Sequence, residues 1–246
     1  MSLLTNPPPN YLAGYDQKIL DLVKTGNYDQ ALWVAEEALE YSRSHFGENH
    51  LETAQTMNNL AWIYDLRQRY TEAERLYRRV VALKKAACGA TAVELVPTLE
   101  NLKSLYLHLA QYSQAEKVLC ELIKIVQSKI KPWSLREAVY LSELAEVYEK
   151  MANPALAEVC YQQSAAFIAS TMPLDHPNLG RVFARLADFY VRQGKYQRAR
   201  FYYLRAYRIM KRKLSSKNPD VQHANAGLAL LQGFFPDAEP TRAEEE

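Results

Sequence analysis

The sequence is poor in glycine, with eight residues in 246, and in cysteine, with three. Val, Ile and Thr form no alternating runs, so strands are not favoured. Cys88, Cys120 and Cys160 are odd in number, widely spaced and without a CxxC pair. That excludes a disulfide framework or a structural zinc site and suits a reducing compartment. No apolar run approaches the roughly 18–20 residues of a membrane span. The opening MSLLTNPPPN has neither a basic stretch nor an apolar stretch ahead of Pro7-Pro8-Pro9, so a secretory signal is not expected. GxSxG, HExxH, P-loop and GxGxxG patterns are all missing. A cytoplasmic, non-catalytic chain without cofactor or metal is the expectation. Net charge is +2, so bulk charge makes no case for nucleic acid.

Helix formers, by contrast, are plentiful: Ala, Leu, Glu, Gln, Arg and Lys. Residues 57–83 read as two amphipathic helices with a tight connection. Met57, Leu60, Ala61 and Tyr64 fall at i, i+3, i+4 and i+7; Ala73, Leu76, Tyr77 and Val80 repeat that spacing. Between them lies a polar connection, in which Thr71 followed by Glu74 resembles a capping box. Neither helix can bury its stripe alone.

The rest of the chain repeats the unit with a period of 42. Tyr28, Tyr70, Tyr112, Pro154 and Tyr196 stand 42 apart, and three residues on are Ala31, Ala73, Ala115, Ala157 and Ala199. An apolar column follows at Tyr41, Leu83, Ile125, Phe167 and Ile209. In the first helix of each unit Leu60, Leu102, Leu144, Leu186 and Leu228 share a phase, followed by Ala61, Ala145, Ala187 and Ala229, with Lys103 the exception. Tyr64, Tyr106, Tyr148 and Tyr190 form another column. No insertion is needed. An alanine fixed in each unit lets two helix backbones approach closely, and the larger columns fill the space around that contact. Pro154 is compatible with a first helical position, where the missing N–H would be unpaired anyway.

These columns resemble the tetratricopeptide repeat, usually 34 residues long. Asn58-Asn59-Leu60-Ala61, Tyr70-Thr71-Glu72-Ala73-Glu74 and the linker pairs His176-Pro177 and Asn218-Pro219 resemble the 42-residue, kinesin-light-chain-like subclass. The resemblance covers about 11–233. It implies an all-α, right-handed solenoid of five helix-turn-helix repeats at about 11–50, 51–92, 93–134, 135–176 and 177–218. The helix pairs are expected at 11–25 with 28–45, 51–67 with 70–87, 93–109 with 112–129, 135–151 with 154–170 and 177–193 with 196–214. A capping helix over 219–232 completes the array, with Leu228-Ala229 packing as in a first helix. The Pro-rich start (1–10) and the acidic tail (234–246) read as disordered.

Function then rests on what lies beside the columns. The resemblance implies that first helices line a concave, partner-binding groove. The candidates are Asn58, Trp62, Asp65, Glu100, Asn101, Ser104, His108, Glu143, Glu146, Arg181, Arg185 and Asp188. Asn58 matches the asparagine that contacts peptide backbone in the light-chain family; an amide can satisfy both a peptide N–H and a C=O. A chaperone-type carboxylate clamp would use Arg181 and Arg185, but Glu100, Ser104 and Glu143 stand where it needs Lys and Asn, and the carboxylates would repel the ligand. His45, His50 and His176 belong to turns, and Cys120 and Cys160 read as small buried hydrophobes.

Charge is segregated. Ten Lys or Arg and no acid lie between Arg192 and Lys217, while the fourth repeat carries Glu137, Glu143, Glu146, Glu149 and Glu158. A solvated outer face of a helix explains the basic stretch. Binding of an acidic protein or of nucleic acid through Arg198, Arg205, Arg208, Lys211 and Arg212 is the alternative. The leading reading is a scaffold or adaptor that binds a protein or peptide segment in its groove. A peptide-sensing regulator is a further alternative, and membrane insertion is not expected.

Overall fold

The computed structural model describes residues 11–129 and 135–234. The chain divides into two compact units, Met1–Lys131 and Pro132–Glu246. The first holds α1 (Tyr11–Lys24), α2 (Tyr28–Phe46), α3 (Leu51–Leu66), α4 (Tyr70–Cys88), α5 (Val96–His108) and α6 (Tyr112–Lys129). The second holds α7 (Leu135–Lys150), α8 (Pro154–Thr171), α9 (Pro177–Arg192), α10 (Tyr196–Lys213) and α11 (Pro219–Gln232). Among the described residues there is no strand, and no helix is long and apolar enough to cross a membrane.

Second helices start at Tyr28, Tyr70, Tyr112, Pro154 and Tyr196, the five positions set by the repeat. Three residues into each, Ala31, Ala73, Ala115, Ala157 and Ala199 are wholly buried. A methyl group is all that fits where paired helices cross closely. Leu60, Leu102, Leu144 and Leu186 are buried beside that contact, and so are Ala61, Ala145 and Ala187. Lys103, at the position of that second alanine column, is buried too. Pro154 opens α8 with its missing N–H harmlessly at the first turn, and the Asn153 side chain caps the helix by accepting from the Leu156 N–H.

The connection inside each repeat is one backbone motif used five times. Gly26, Gln68, Ala110, Ala152 and Gly194, 42 residues apart, all have φ between 54° and 75°. In the second repeat the Gln68 N–H donates to the Asp65 carbonyl at 2.9 Å and the Arg69 N–H to the Tyr64 carbonyl at 2.8 Å. The same two bonds recur at Gly26/Asn27, Ala110/Gln111, Ala152/Asn153 and Gly194/Lys195. This is the Schellman closure, which pairs the orphan carbonyls of the ending helix. Its acceptor three residues inside the helix is the column Tyr64, Tyr106, Tyr148 and Tyr190. Arg69 stacks over Tyr64 at 4.4 Å and Lys195 over Tyr190 at 5.8 Å, in place of the usual apolar contact. Between repeats, His50, His176 and Asn218 act as N-caps, each accepting from the N–H two residues on.

Three sequence expectations are corrected. The capping box at Thr71 and Glu74 does not form: α4 begins at Tyr70, its N-cap is Arg69, and no side chain caps it. Thr71 already lies inside the helix, and Glu74 instead accepts from the Tyr106 hydroxyl at 2.9 Å. The helix expected from 93 begins as a 3₁₀ turn, Val93–Leu95, before α5. Pro97 has no N–H for the Val93 carbonyl, and its ring excludes a straight α-helix there. In α11, Ala229 is exposed and Leu228 half-buried, unlike their counterparts. Among the described residues no helix follows α11, which docks mainly on α10, burying Val221, Ala224, Gly227 and Leu231. A Cβ at Gly227 would fall 2.4 Å from the Tyr203 ring, so that approach requires glycine. The proline-rich start lies outside the described residues, as does the tail beyond Phe234.

The turn geometry makes a prediction. A side chain at positive φ costs about 1–2 kcal/mol, and glycine's extra chain entropy returns roughly 0.5–1 kcal/mol of that. Gln68→Gly, Ala110→Gly and Ala152→Gly are each expected to stabilise their unit by about 0.5–1 kcal/mol, and Gly194→Ala to destabilise by a similar amount. Urea unfolding midpoints check it; destabilisation by all three glycines would contradict the assignment.

Candidate functional site

In the first unit Asn58, Trp62 and Asp65 fall at i, i+4 and i+7 of α3, on one face. Asn58 is buried, 7% exposed, and its Oδ1 has no hydrogen-bond partner among the described residues. Trp62 and Asp65 are half-buried. Burial raises the Asp65 carboxyl above its ordinary value, against the opposing charge of His108. Burial, then the charge of Asp65, pushes the Tyr77 hydroxyl up, and that hydroxyl also lacks a partner. On α5, Asn101 is half-buried, whereas Ser104 is exposed and turns back to donate to the Glu100 carbonyl at 2.9 Å. His108 Nε2 lies 2.9 Å from the Tyr70 hydroxyl.

In the second unit Glu146 of α7 and Arg185 and Asp188 of α9 come together in a cleft of about 450 Å³. Arg185 faces Glu146 at 3.5 Å. Asp188 accepts from the Tyr203 hydroxyl and lies 3.0 Å from His223 Nε2. Burial is the main cause that raises the Glu146 carboxyl; Arg185 opposes it and Glu143 adds to it. Glu143 itself is half-buried and does not line the cleft. Arg181 donates to Asp220 Oδ2 at 2.6 Å and to Asn178 Oδ1 at 2.5 Å. With Arg185 it rims a separate apolar pocket of about 250 Å³ that includes Val139, Ile168 and Val182.

Sequence reasoning missed the centre of that cleft. Arg192 grips Glu149 with two prongs, Nε to Oε2 at 2.7 Å and Nη2 to Oε1 at 2.8 Å, and the Tyr161 hydroxyl donates to Glu149 Oε1 at 2.9 Å. The hydrogen bond to Glu149 is the main cause that raises the Arg192 guanidinium. Burial is the main cause that raises the Tyr161 hydroxyl, and Glu149 adds to it. The signal was present in the period. Asp65, Tyr77 and His108 stand two repeats before Glu149, Tyr161 and Arg192. Both sets put an acid, a phenol and a basic ring or guanidinium at equivalent positions. They differ in the acid, longer by one methylene at Glu149, and in the base, Arg192 holding Glu149 where His108 turns to Tyr70; Tyr161 finds its acceptor and Tyr77 does not.

The basic stretch is partly spent inside its own unit. Glu158 accepts from the Tyr190 hydroxyl at 2.7 Å, and pairs with Arg198 at 3.1 Å and Lys195 at 3.4 Å. Lys213 pairs with Asp175 at 2.9 Å. Arg205 lies over Phe183 at 4.7 Å and Lys211 over Tyr207 at 5.1 Å. Arg208, Lys211 and Arg212 are exposed. Burial pushes the Glu158 carboxyl up, but Tyr190, Lys195 and Arg198 more than offset it and leave it below 4.5.

Two predictions follow from these carboxylates. Asp65→Glu is expected to reach the Tyr77 hydroxyl and stabilise the first unit by about 1 kcal/mol, the net worth of a buried hydrogen bond; unchanged thermal unfolding would refute it. A lowered carboxylate pKa contributes stability above the unfolded value, and that stability is lost as pH falls through the folded value. Between about pH 5 and 3, Glu158→Gln is therefore expected to lose less melting temperature than the wild type.

Comparison with known proteins gives the same architecture. The family described as tetratricopeptide repeat matches residues 15–86 and 135–212, more than half of the chain. The kinesin light chain nearly identical TPR-like repeats from Podosopora anserina superpose with a TM-score of 0.74 at 20% identity, over 85% of this chain and 100% of theirs. BtubC (BKLC) from P. vanneervenii gives 0.67 at 20% identity, over 83% and 82%. PilF of Pseudomonas aeruginosa gives 0.54 at 20% identity, over 92% and 93%. No curated protein matches. At these identities the likeness speaks for the fold alone, which is all-α. Repeat by repeat, from its buried alanines to its turns, the chain belongs to the tetratricopeptide repeat family.

Proposed function

We propose that the chain is a non-catalytic scaffold that grips an extended segment of a partner protein with the exposed faces of its first helices. The tetratricopeptide fold serves protein–protein contact in general. The observation that carries the finer reading is the Asn58 amide, whose Oδ1 is buried on α3 with no hydrogen-bond partner. Nearly all buried polar atoms are paired, and leaving one open costs about 1–3 kcal/mol. The oxygen is closed to solvent, so a peptide N–H laid along α3 completes it only with a local shift of the side chains over it; Trp62 offers apolar area and Asp65 a charge beside it. In the second unit the cleft at Glu146, Arg185 and Asp188 suits a segment carrying both signs of charge. A ligand there exchanges one ion-pair partner for another, which favours selectivity over strength. Binding through the basic stretch from Arg192 to Lys217 has less support, since Arg192, Lys195, Arg198 and Lys213 already hold acids of the same unit.

The test separates binding from folding. Asn58→Leu removes the unpaired oxygen while keeping the volume. It is expected to raise the stability of the free chain by about 1 kcal/mol and to abolish capture of peptides selected on the wild type from a random library. Trp62→Ala is expected to weaken the same peptides at least about tenfold. Lower stability of Asn58→Leu with intact peptide capture would show that the amide is structural and sink the reading.

A further inference from the structure

One edge of the second unit joins an exposed leucine to a cluster of bases. Leu174 lies in the connection between α8 and α9 and is 69% exposed, more than any other large hydrophobic residue among the described residues. Pro173 before it is exposed too. The repeat does not require an apolar residue here: Glu48, Ala90 and Ser216 stand at the same place in three other repeats. A lone exposed leucine is ordinary on a protein surface. The surroundings of this one are not. The adjoining Asp175 pairs with Lys213 at 2.9 Å, which brings the end of α10 beside the leucine.

Around it the charge is of one sign. Arg208, Lys211, Arg212, Lys213 and Lys217 are all exposed. In the connections 172–176 and 214–218 the only acid is Asp175, and Lys213 holds it. Arg208, Lys211 and Lys217 have no acidic partner among the described residues. Bases in the last turn of a helix complement its dipole, which accounts for Lys211, Arg212 and Lys213. Arg208 lies a turn earlier and Lys217 beyond the helix. Like charges three and four residues apart repel, as Arg208 does with Lys211 and Arg212. The edge therefore favours negative charge brought against it from outside.

Leu174 decides which kind. Nucleic acid would answer the bases and leave the leucine in water. An acidic protein segment would need an apolar pocket of its own to receive it. An anionic bilayer answers both features: its charges lie in a plane, and apolar side chains enter the headgroup and acyl boundary to a depth of about 5–10 Å. Among the described residues no helix is long and apolar enough to cross a membrane, so the contact is with the surface.

We infer that this edge, Leu174 with Arg208, Lys211, Arg212 and Lys217, docks on the surface of an anionic lipid bilayer. The bases lie over the headgroups and Leu174 enters between them. Each base near such a surface strengthens binding about fivefold, and burial of one leucine adds roughly tenfold or more. None of these residues lines the cleft at Glu146, Arg185 and Asp188, so the inference stands apart from the partner-binding reading.

The test is cosedimentation of the whole chain with vesicles of phosphatidylcholine, either alone or with about 30% phosphatidylserine, at about 0.1 M salt. Binding is expected on the anionic vesicles and not on the neutral ones. It is expected to be lost at about 0.5 M salt, where the screening length falls to a few ångströms. Leu174→Ser is expected to weaken binding about tenfold, and Lys211→Gln/Arg212→Gln/Lys217→Gln about a hundredfold. All four residues are exposed, and thermal unfolding checks that both variants keep the wild-type fold. Leu174→Trp supplies a readout that a change in folding cannot mimic: its added fluorescence is expected to be quenched by lipids brominated in their acyl chains, beyond the quenching of the parent chain. Equal binding by Leu174→Ser and the wild type would show that charge alone is read, as nucleic acid or an acidic protein would read it, and would overturn the proposal. So would equal binding to neutral and anionic vesicles, or no binding to the anionic vesicles at about 0.1 M salt.

Discussion

Five alanine methyl groups set how closely the paired helices approach, and much of the molecule follows from that distance. Ala31, Ala73, Ala115, Ala157 and Ala199 are each wholly buried. Leucines and tyrosines of the adjoining columns then have one place to go. A larger side chain at any of these alanines would be an overpacked core substitution, of the kind that typically costs about 1–3 kcal/mol.

The fold was legible in the sequence because it is carried by repetition. An alanine recurring every 42 residues cannot be confused with composition, and it located every second helix at its first residue. Local signals did less well. Thr71 and Glu74 have the chemistry of a capping box but the wrong position, because α4 begins at Tyr70 and its N-cap is Arg69. Pro97 was visible, yet its effect, a 3₁₀ turn ahead of α5, depends on where the preceding chain arrives. At Ala229 the repeat pattern continues into α11, but its packing does not, since Ala229 is exposed.

For the candidate residues, the sequence shows which share a helix face and shows less of what they touch. Asn58, Trp62 and Asp65 share a face because helical spacing requires it. Whether Asn58 Oδ1 has a partner is a three-dimensional fact that no spacing carries. Glu149 and Arg192 were passed over because each was read as an unremarkable charge on its own helix. Their meaning lies in the contact between helices α7 and α9. The column at Asp65, Tyr77 and His108 shows how such contacts could be sought: by comparing whole sets of polar residues from one repeat to another.

The turn inside each repeat closes by the same two main-chain bonds, with glycine, glutamine or alanine at its left-handed residue. Side chains at that connection need not supply the closure. Residues such as Gln111 and Gln193 can change identity while the turn is held by the backbone. A family of such chains can therefore vary the rim at these turns at little expense to the scaffold. New recognition chemistry can be installed there first, ahead of any change to the columns beneath.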